Sequence, residues 1–361
     1  MVKMARKKIL AISYLFPNSE QPFHGIFVLN RIKAMSAYAD ITVINPVPDS
    51  PVHGNISKLS HYKRVPEKEV INGIEVYHPR FFSIPGHLKI IESLSYYLAV
   101  KKVIANIGTD FDLIDLHWTY PDLPTGAWLA NKWNTPLCVT LRGMEAFHEQ
   151  DRGLRKKVVA HFLKKSDLVI SLSEEMAVHA NRIANTGSKT KVIRNGVDTE
   201  KFYFIELEKC RAKLGIPLED KVVLGVGAVI YRKGFDLVIR ALPKVLQQPG
   251  LENTKFYIVG SQGAEGDYRS ELKKLARDLG LEEHVVFAGK ANNNELVDWY
   301  SAADVFCLSS RGEGSPNVLT EALACGTPAI ACDVGSVAEI MASEANLGHV
   351  IKSDDVTELE G

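Results

Sequence analysis

Two glutamates, Glu313 and Glu321, lie on either side of a pattern that is typical of the start of a helix. Ser315 can cap a helix with its hydroxyl group, and Pro316 suits the first helical position. Gly326 suits a helix end, so we expect a helix of about three turns in this segment. An apolar run precedes the segment, and a strand there would place the start of the helix at the carboxyl edge of a sheet.

The start of this helix predicts an anion site. Its first N–H groups, over residues 316–318, and the positive end of its dipole suit a phosphate group. Glu313 precedes the helix and Glu321 lies within it, so their carboxylates would flank the phosphate. Carboxylates accept hydrogen bonds from hydroxyl groups, which indicates a phosphate-linked polyol such as a sugar nucleotide. The alternative is an exposed loop with a glutamate near a helix cap.

A second segment, Gly225–Gly234, follows an expected strand and carries Arg232 and Lys233 side by side. Its glycines lack the spacing of a dinucleotide fingerprint or a P-loop, because Gly227 and Gly234 are seven positions apart. A guanidinium fork beside an ammonium group can instead hold a diphosphate and neutralise it as a leaving group without a metal ion. An Arg-Lys pair alone is usually a solvated turn, but the anion site in the same half of the chain favours the diphosphate.

Polar residues also follow expected strands in the first half of the chain. His117 could donate a hydrogen bond to a ligand, or it could be a core histidine satisfied by a carbonyl group. Gly25 could present its N–H to a phosphate, or it could belong to an ordinary turn. Arg142 and Glu145 add a cation and a carboxylate after another strand. The residues alone leave both interpretations of His117 and Gly25 open.

Metal chemistry and nucleic-acid binding find no support in the sequence. Asp110 and Asp112 match an acidic pair that binds divalent cations, but they precede a strand and would lie at the opposite edge of the sheet. The 11 histidines and five cysteines lack the spacing of metal ligands, and an odd number of cysteines favours reduced thiols over disulfides. Lys and Arg equal Asp and Glu at 43 each, so no overall positive charge favours nucleic acid. We expect no metal and no cofactor.

Short apolar runs alternate with longer amphipathic segments through all 361 residues, which is typical of α/β proteins with parallel sheets. Helices are expected over 268–279 and 294–302. The strands expected in the first half are Ile9–Ser13, Ile41–Val47, Leu113–Leu116, Leu137–Leu141, Leu168–Leu172 and Val192–Ile193. Those expected in the second half are Val222–Val226, Phe256–Val259, Val285–Phe287, Val305–Leu308 and Ala329–Ala331.

This alternation predicts two α/β domains, residues 1–196 and 197–361. The turn-forming pair Asn195-Gly196 and the polar stretch after it predict the hinge. We expect two Rossmann-like, doubly wound domains that face a central cleft, because open α/β sheets bind ligands at the carboxyl ends of their strands. Lys3–Phe16 is interpreted as the first strand rather than an export signal, since it lacks a small-residue cleavage site.

Membrane contact is a further hypothesis. No apolar run reaches the roughly 18 residues that a spanning helix needs. Residues 87–107 mix leucine, isoleucine and tyrosine with lysines, and the basic run 155–157 follows later in the chain. Such segments can rest on anionic lipid, although we favour an ordinary domain-surface helix. We therefore expect a cytoplasmic protein, with peripheral contact at the inner membrane face as the open alternative.

Taken together, these motifs resemble the retaining GT-B glycosyltransferases of family four. Glu313 and Glu321 reproduce the Glu-x7-Glu signature, in the setting Glu-Gly-x-Pro-x-x-x-x-Glu-Ala-x-Ala-x-Gly-x-Pro. The resemblance covers most of the chain, is strongest from residue 190 onward, and implies GT-B architecture. The acceptor would bind the first domain and the donor mainly the second. Further segments that agree with the family are Arg194–Asp198, Gly225–Gly234, Val259–Tyr268 and Val285–Gly289.

The resemblance implies a role for each candidate residue. Arg232 and Lys233 would hold the donor diphosphate, and Glu321 would hold the ribose hydroxyl groups. Glu313 would contact the transferred sugar, and His117 would reach the hydroxyl groups of that sugar. Lys290 and Ala291 would contact the base. The full set of donor contacts expected besides Glu321 is Gly25, Gly227, Lys290, Ala291, Gly314, Ser315, Asn317 and Val318.

Two departures from the family pattern affect what we expect. Arg142-Gly143-Met144-Glu145 stands where many members have His-Gly-x-Asp, so Arg142 and Glu145 are candidate sugar or acceptor contacts. The chain ends at Gly361, before the terminal helices that cross back to the first domain in family members.

The leading expectation is a metal-independent retaining hexosyltransferase. It would move a sugar from a nucleoside-diphosphate sugar to a hydroxyl group of a sugar or lipid-linked acceptor, in polysaccharide or glycan synthesis. Two alternatives remain open: a nucleotide-sugar epimerase or hydrolase on the same scaffold, and a non-catalytic nucleotide-sugar binding module. No nucleic-acid partner is expected.

Overall fold

The chain folds into two compact units, Met1–Arg194 and Asn195–Gly361. The division falls in the turn where the sequence predicts the hinge, close to the expected boundary at residues 196–197. Each unit contains a parallel sheet with helices, so the expected two-domain α/β fold is confirmed. The computed structural model describes residues 6–49, 62–83, 89–143, 153–263, 265–292 and 294–360.

The strands of the first unit, numbered in chain order, are β1 Lys7–Ile12, β2 Ala39–Ile44, β3 Val47–Asp49, β4 Lys68–Ile71, β5 Ile74–Tyr77, β6 Arg80–Phe82, β7 Leu113–Leu116, β8 Leu137–Thr140, β9 Leu168–Ser171 and β10 Thr190–Val192. Eight of them form one sheet in the order β10-β9-β8-β7-β1-β2-β5-β4, and β3 pairs with β6. In the large sheet only β4 and β5 run antiparallel. Strands β7, β8 and β9 are almost wholly buried, as expected for parallel strands covered on both faces.

Helices cover both faces of this sheet. Because side chains alternate along a strand, Leu10 and Ile12 of β1 join one core while Ala11 joins the other. Helices α2 to α5 share the first core, and α1 packs on the second through Val28 and Ile32. The helices of the first unit are α1 Ile26–Met35, α2 Lys89–Ile107, α3 Asp122–Trp133, α4 Leu154–Leu163 and α5 Glu174–Ala184.

The second unit contains a six-stranded sheet whose strands all run parallel. Its strands are β11 Lys221–Val226, β12 Thr254–Val259, β13 Val285–Gly289, β14 Val305–Leu308, β15 Ala329–Cys332 and β16 Gly348–Ile351. Their order is β13-β12-β11-β14-β15-β16, so the direction of strand addition reverses between β11 and β14. The carboxyl ends of these two strands form the topological switch point of a doubly wound sheet.

The helices of the second unit are α6 Leu207–Leu214, α7 Phe235–Val245, α8 Arg269–Asp278, α9 Leu296–Ala302, α10 Asn317–Ala324, α11 Val337–Met341 and α12 Val356–Glu360. Tyr257 and Val259 of β12 face one core, and Phe256 and Ile258 face the other. Each unit therefore has its own large sheet with an apolar core on each face.

Each strand expected from the sequence has a counterpart in the structure. The sequence analysis missed the hairpin β4–β5, the short pair β3–β6 and the edge strand β16. The residues of β4 and β16 are largely exposed, so these strands lack the buried apolar run that identifies the others. All five cysteines are buried free thiols. No helix in the described part of the chain is long and apolar enough to cross a membrane.

Candidate active site

Two loops meet at the switch point of the second unit. β11 ends at Val226 and its neighbour β14 ends at Leu308. Gly234, after β11, has a φ of +64°, and a Cβ atom there would lie 1.9 Å from the carbonyl oxygen of Ser309. The backbones of the two loops therefore touch, and only a glycine permits this approach. Ligands of open parallel sheets bind at such a point.

Arg232 and Lys233 lie at this contact, in a short 3₁₀ turn after β11. Lys233 Nζ lies 2.6 Å from Glu313 Oε1. Arg232 donates to the carbonyl oxygen of Gly312 at 2.9 Å, and the hydroxyl group of Ser310 donates to Glu313 Oε1 at 2.7 Å. The structure thus brings both predicted cations against the loop that leads into α10, with Glu313 between them.

The surroundings of Glu313 keep its carboxylate ionised. Its side chain is only 12% exposed. Burial alone would raise the pKa of Glu313, but the charge and hydrogen bond of Lys233, the Ser310 hydroxyl group and Arg232 together hold that pKa below its ordinary value. The switch point therefore carries a cluster of fixed charges of both signs.

Arg232 has a second carboxylate partner, Glu265, in the loop after β12. Nη2 of Arg232 lies 2.7 Å from Glu265 Oε1, and Nε lies 3.1 Å from both carboxylate oxygens. The other side of the guanidinium group faces Gly312 and Glu313, whose Oε2 is 3.5 Å from Nη1. A fork held by carboxylates in this way can bind a phosphate group through the same donors.

Arg311 fixes the turn that carries the two cations. Its guanidinium group donates to both carboxylate oxygens of Asp236 and to the carbonyl oxygen of Tyr231, each at 2.8 Å. It also lies over the Tyr231 ring, 4.1 Å from the centroid. The backbone N–H of Arg311 donates to the carbonyl oxygen of Arg232 at 2.8 Å. The loop after β14 thereby holds the loop after β11 by side-chain and backbone contacts.

The start of α10 differs from the sequence expectation. The helix begins at Asn317, Pro316 is its N-cap, and no side chain caps it. The expected cap by Ser315 is wrong, because the hydroxyl group of Ser315 lies 3.0 Å from that of Ser336 instead. Pro316 has no N–H, so the donors at this helix start belong to Asn317 and Val318. With eight residues the helix has about two turns rather than three.

The remaining predicted residues around α10 have protein partners. Asn317 Oδ1 accepts a hydrogen bond from Asn195 Nδ2 at 2.9 Å. The carbonyl oxygen of Gly314 accepts one from the N–H of Ser336 at 3.2 Å. Val318 packs against the larger core of the second unit. These contacts hold the approach to α10 in one conformation.

Glu321 has a dedicated partner on α9. The hydroxyl group of Tyr300, which is fully buried, donates to Glu321 Oε2 at 2.8 Å. Burial raises the pKa of Glu321, and the hydrogen bond from Tyr300 opposes this rise. Tyr300 thus fixes the direction of a carboxylate that lies one helix turn beyond the start of α10.

Three further predicted residues lie along the same edge of the sheet. A Cβ atom on Gly227 would lie 3.1 Å from Cε of Lys233, so the lysine side chain extends over this glycine. Lys290 and Ala291 follow the edge strand β13, which β12 separates from β11. Lys290 is exposed and Ala291 is partly buried.

The first unit has its own switch point, between β1 and β7. Gly25, with a φ of +69°, precedes α1, and a Cβ atom there would lie 2.5 Å from the carbonyl carbon of Leu15. His117 follows β7 and is fully buried. Arg142 follows β8, and its Nη2 donates to His117 Nδ1 at 3.1 Å. Glu145 lies outside the described residues.

His117 is the centre of a buried polar network rather than a histidine paired with a carbonyl group. Asp115 Oδ2 lies 3.1 Å from His117 Nε2, without the direction of a hydrogen bond. Burial lowers the pKa of His117, and Arg142 and Arg31 add to this effect while Asp115 opposes it. The ring is therefore neutral, and Nδ1 is its acceptor for Arg142. Arg142 also lies over the ring of Phe27, 5.1 Å from the centroid.

The acidic pair Asp110 and Asp112 lies at the opposite edge of the first sheet and is engaged by lysines. Lys7 Nζ is 2.8 Å from Asp112, and Lys8 Nζ is 2.6 Å from Asp110. Within the described residues, no group of three or more His, Cys, Asp and Glu side chains is arranged to hold a metal ion.

The side chains beside predicted site residues that the sequence analysis missed include Asp115, Glu265, Tyr300, Ser310 and Ser336. Asp115 lies on β7, two positions before His117, which directly follows that strand, so the period-two spacing could have revealed the pair. Glu265 and Tyr300 are 33 and 21 positions from their partners, a distance that no spacing rule covers. Only the packing of different loops and helices brings them into contact.

Comparison with known proteins identifies the family. Residues 57–201 match the family described as Glycosyltransferase Family 4, and residues 207–361 match the family described as Glycosyl transferases group 1. The chain is 31% identical over 296 residues to an uncharacterised glycosyltransferase of Methanocaldococcus jannaschii. The aligned region covers 78% of this chain and 73% of that protein. It is 28% identical over 348 residues to TuaC of Bacillus subtilis, a glycosyltransferase assigned to teichuronic acid biosynthesis, over 94% of this chain and 84% of that protein.

A solved structure has the same fold. HepE of Anabaena, in complex with UDP and glucose, matches with a TM-score of 0.72 at 22% identity, over 99% of this chain and 88% of that chain. Both family matches, the relatives and the two α/β units of the structure agree. The chain therefore belongs to the glycosyl transferases group 1 family and is a glycosyltransferase with the GT-B fold.

Proposed function

We propose that this glycosyltransferase moves a hexose from a nucleoside-diphosphate sugar to a hydroxyl group of an acceptor, with retention of configuration and without a metal ion. The observation that carries the proposal is the cluster of Arg232, Lys233 and Glu313 at the switch point of the second unit. Two fixed positive charges lie there against the loop that leads into α10, and the first N–H groups of that helix are proposed as further donors. A diphosphate is the ligand that matches this set of donors.

The same groups account for the leaving of the diphosphate. As the bond between the anomeric carbon and the phosphate oxygen breaks, negative charge grows on that oxygen and positive charge grows on the sugar ring. Arg232 and Lys233 stabilise the first charge, as donors fixed before the reaction begins. The acceptor oxygen then bonds to the anomeric carbon on the same face, and its proton passes to the leaving phosphate oxygen. No metal ion is needed to balance the charge of the diphosphate in this scheme.

The carboxylates supply the hydroxyl contacts. Glu321, oriented by Tyr300, is suited to accept hydrogen bonds from the ribose hydroxyl groups. Glu313 is suited to accept hydrogen bonds from hydroxyl groups of the transferred sugar, because it lies between the two cations that would hold the diphosphate. In the first unit, His117 is assigned to the sugar and Arg142 to the sugar or the acceptor. The neutral ring of His117 accepts from Arg142 through Nδ1, so its Nε2–H is left as a donor and the ring adds no charge.

UDP-glucose is the first donor to test, because the HepE structure contains UDP and glucose. Polysaccharide or glycan synthesis is the proposed setting, and the assignment of TuaC to teichuronic acid synthesis supports it. Sugar and lipid-linked hydroxyl acceptors form the panel for the assay.

The decisive experiment has two parts. NMR determines the anomeric configuration of the product, and steady-state kinetics compares the kcat of Lys233→Ala with that of Lys213→Ala. Lys213 is a matched control, because it pairs with a buried carboxylate, Asp298, at 2.5 Å in the same unit but away from the switch point. Both variants leave a buried acid without its lysine, so both lose stability. We expect only Lys233→Ala to lower kcat, by roughly 100-fold or more, which is typical for the loss of one fixed charge at a transition state.

Three results would contradict the proposal. A product with inverted anomeric configuration would exclude the same-face mechanism. Release of free sugar alone with every acceptor would favour a hydrolase on this fold. Equal rates for the two lysine variants would remove Lys233 from the chemistry.

A further inference from the structure

Helix α2 presents an apolar stripe to solvent. Ile91, Leu94 and Leu98 are 48%, 52% and 53% exposed, and their spacing places them on one face of the helix. The same face continues through the exposed Lys101 and Lys102. The opposite face carries Tyr96, Val100 and Ile104 and is buried in the core of the first unit. Large apolar side chains aligned in this way on an otherwise packed helix are characteristic of a contact surface.

The stripe extends over two neighbouring helices. Trp128 of α3, 37% exposed, contacts Tyr97 of α2 and Phe162 of α4, with ring centroids 5.3 Å and 5.6 Å apart. Helices α2, α3 and α4 share one core, so their outward faces form one continuous surface, here called the α2–α4 surface. Tryptophan and tyrosine at such a surface suit the boundary between water and lipid.

The charge of the α2–α4 surface has one sign. The three helices contain only two acidic residues, Glu92 and Asp122, and both are buried. The chain as a whole has a formal net charge of zero, so this excess of positive charge is local. The basic residues of the three helices are Lys89, Lys101, Lys102, Lys132, Arg155, Lys156 and Lys157.

From these observations we propose that the α2–α4 surface docks on an anionic lipid bilayer. The apolar stripe would enter the region between headgroups and acyl chains, and the lysines would contact the phosphates of anionic lipids. A second copy of this chain fits less well, because two such surfaces would bring positive charge against positive charge. No described helix can cross a bilayer, so the protein would lie on the membrane through this surface.

The test is flotation of the full chain with vesicles of phosphatidylcholine alone and with vesicles containing about one third phosphatidylglycerol. The test variants are Leu94→Gln with Leu98→Gln, and Lys101→Glu with Lys102→Glu. We expect the unmodified chain to float with anionic vesicles only, and to release at high salt. Each double substitution should lower the bound fraction by about tenfold or more.

Matched controls change the same residue types elsewhere. Lys273→Glu with Lys274→Glu replaces an adjacent exposed lysine pair on α8. Val178→Gln with Leu218→Gln replaces side chains that are 47% and 60% exposed. Both controls should bind anionic vesicles like the unmodified chain, and circular dichroism verifies that all four variants are folded.

Three outcomes would overturn the proposal. The first is equal flotation with neutral and anionic vesicles, and the second is equal flotation of test and control variants. The third is that the chain sediments as a dimer without lipid and that only the test variants are monomeric. This would assign the α2–α4 surface to a second copy of the chain. UDP binding is measured on the same variants. It should be unchanged, so a loss of vesicle binding can be told apart from a defect in the proposed donor site of the second unit.

Discussion

The two carboxylates that pair with Arg232 and Lys233 differ in exposure. Glu313 is 12% exposed and is held by three neighbouring groups, whereas Glu265 is 52% exposed and contacts Arg232 from one side. A buried ion pair is costly to break, but an exposed pair contributes about 1 kcal/mol or less. A phosphate anion therefore displaces Glu265 more readily than Glu313.

Glu265→Gln is expected to tighten donor binding. The substitution removes a negative charge that competes for Arg232 and repels a diphosphate, while it keeps the size of the side chain. We expect the Kd of UDP to fall by about two- to fivefold, the range that corresponds to an exposed ion pair. Isothermal titration at low and high salt measures this change.

Glu282→Gln serves as the control for this substitution. Glu282 lies 3.5 Å from Arg277, both side chains are largely exposed, and neither belongs to the switch point. Its substitution should leave the Kd of UDP unchanged. Weaker UDP binding in Glu265→Gln would mean that Glu265 positions Arg232 for the phosphate instead of competing with it.

Asp122 makes the stability of the first unit depend on pH. Its buried carboxyl group accepts hydrogen bonds from the hydroxyl group of Tyr96 at 2.6 Å and from the N–H of Tyr14 at 3.0 Å. Burial raises the pKa of Asp122 to about 8, with these two hydrogen bonds opposing the rise. The folded pKa lies above the ordinary value, so this group stabilises the fold most at low pH and loses that contribution as pH rises towards 8.

Asp122→Asn should remove this pH dependence. The free energy of unfolding of the native protein, relative to the variant, should fall between about pH 4 and 8, by at most about 1.4 kcal/mol per pH unit. Urea unfolding in a Trp299→Phe background measures it, because the other three tryptophans, Trp118, Trp128 and Trp133, lie in the first unit. A difference that stays constant or grows with pH would mean that Asp122 is ionised in the folded protein.

At the scale of elements, the site depends on how closely the loops after β11 and β14 approach. Gly234 allows the two backbones to touch, and Arg311 ties them together through Asp236. The cations themselves occupy a turn of only three residues. Their position relative to Glu313 is therefore set by the pairing of two adjacent strands and not by the local sequence.

Gly234→Ala should disturb this approach more than Gly215→Ala. Both glycines have a left-handed backbone conformation, with φ values of +64° and +69°. Both alanine variants should therefore carry a similar backbone strain of about 1 kcal/mol. Only at Gly234 does a Cβ atom meet the backbone, since nothing lies within 4 Å of a Cβ atom on Gly215. Thermal unfolding and UDP titration should show a larger loss of stability and of UDP affinity for Gly234→Ala. Equal losses would mean that the loops can separate without cost.

The secondary structure was accessible from the sequence because buried parallel strands are short apolar runs. Leu113–Leu116 and Val305–Leu308 were predicted with their observed bounds. Strands β4 and β16 were not, since their residues are largely exposed and carry no such pattern. Gly326 marked the end of α10 correctly, with a φ of +81°, whereas the cap at Ser315 failed because its hydroxyl group pairs with Ser336.

At the scale of the whole molecule, the chain consists of two units with separate sheets and separate cores. The predicted donor residues divide between them, with the cations, both glutamates and the start of α10 in the second unit. A ligand that binds mainly to one unit should stabilise that unit selectively, because binding energy adds to the stability of the parts it contacts.

UDP should therefore protect the second unit in hydrogen exchange. At a concentration about 100 times the Kd, a ligand stabilises the bound form by about 2.7 kcal/mol. We expect slower exchange over residues 227–234 and 311–321, and unchanged exchange in α2 and α3. Mass spectrometry of peptic fragments with and without UDP measures the difference. Protection confined to the first unit would contradict the assignment of the donor to the second.

The sequence by itself determined the alternation of strands and helices, the family, and the chemical types of the site residues. These properties depend on local order along the chain: apolar runs, helix signals and spaced motifs such as Glu313 and Glu321. Only the tertiary structure decided which charges touch. Lys233 and Glu313 are 80 positions apart, and Arg232 and Glu265 are 33, so their contacts depend on strand order and loop packing. A linear pattern of residues does not contain those distances.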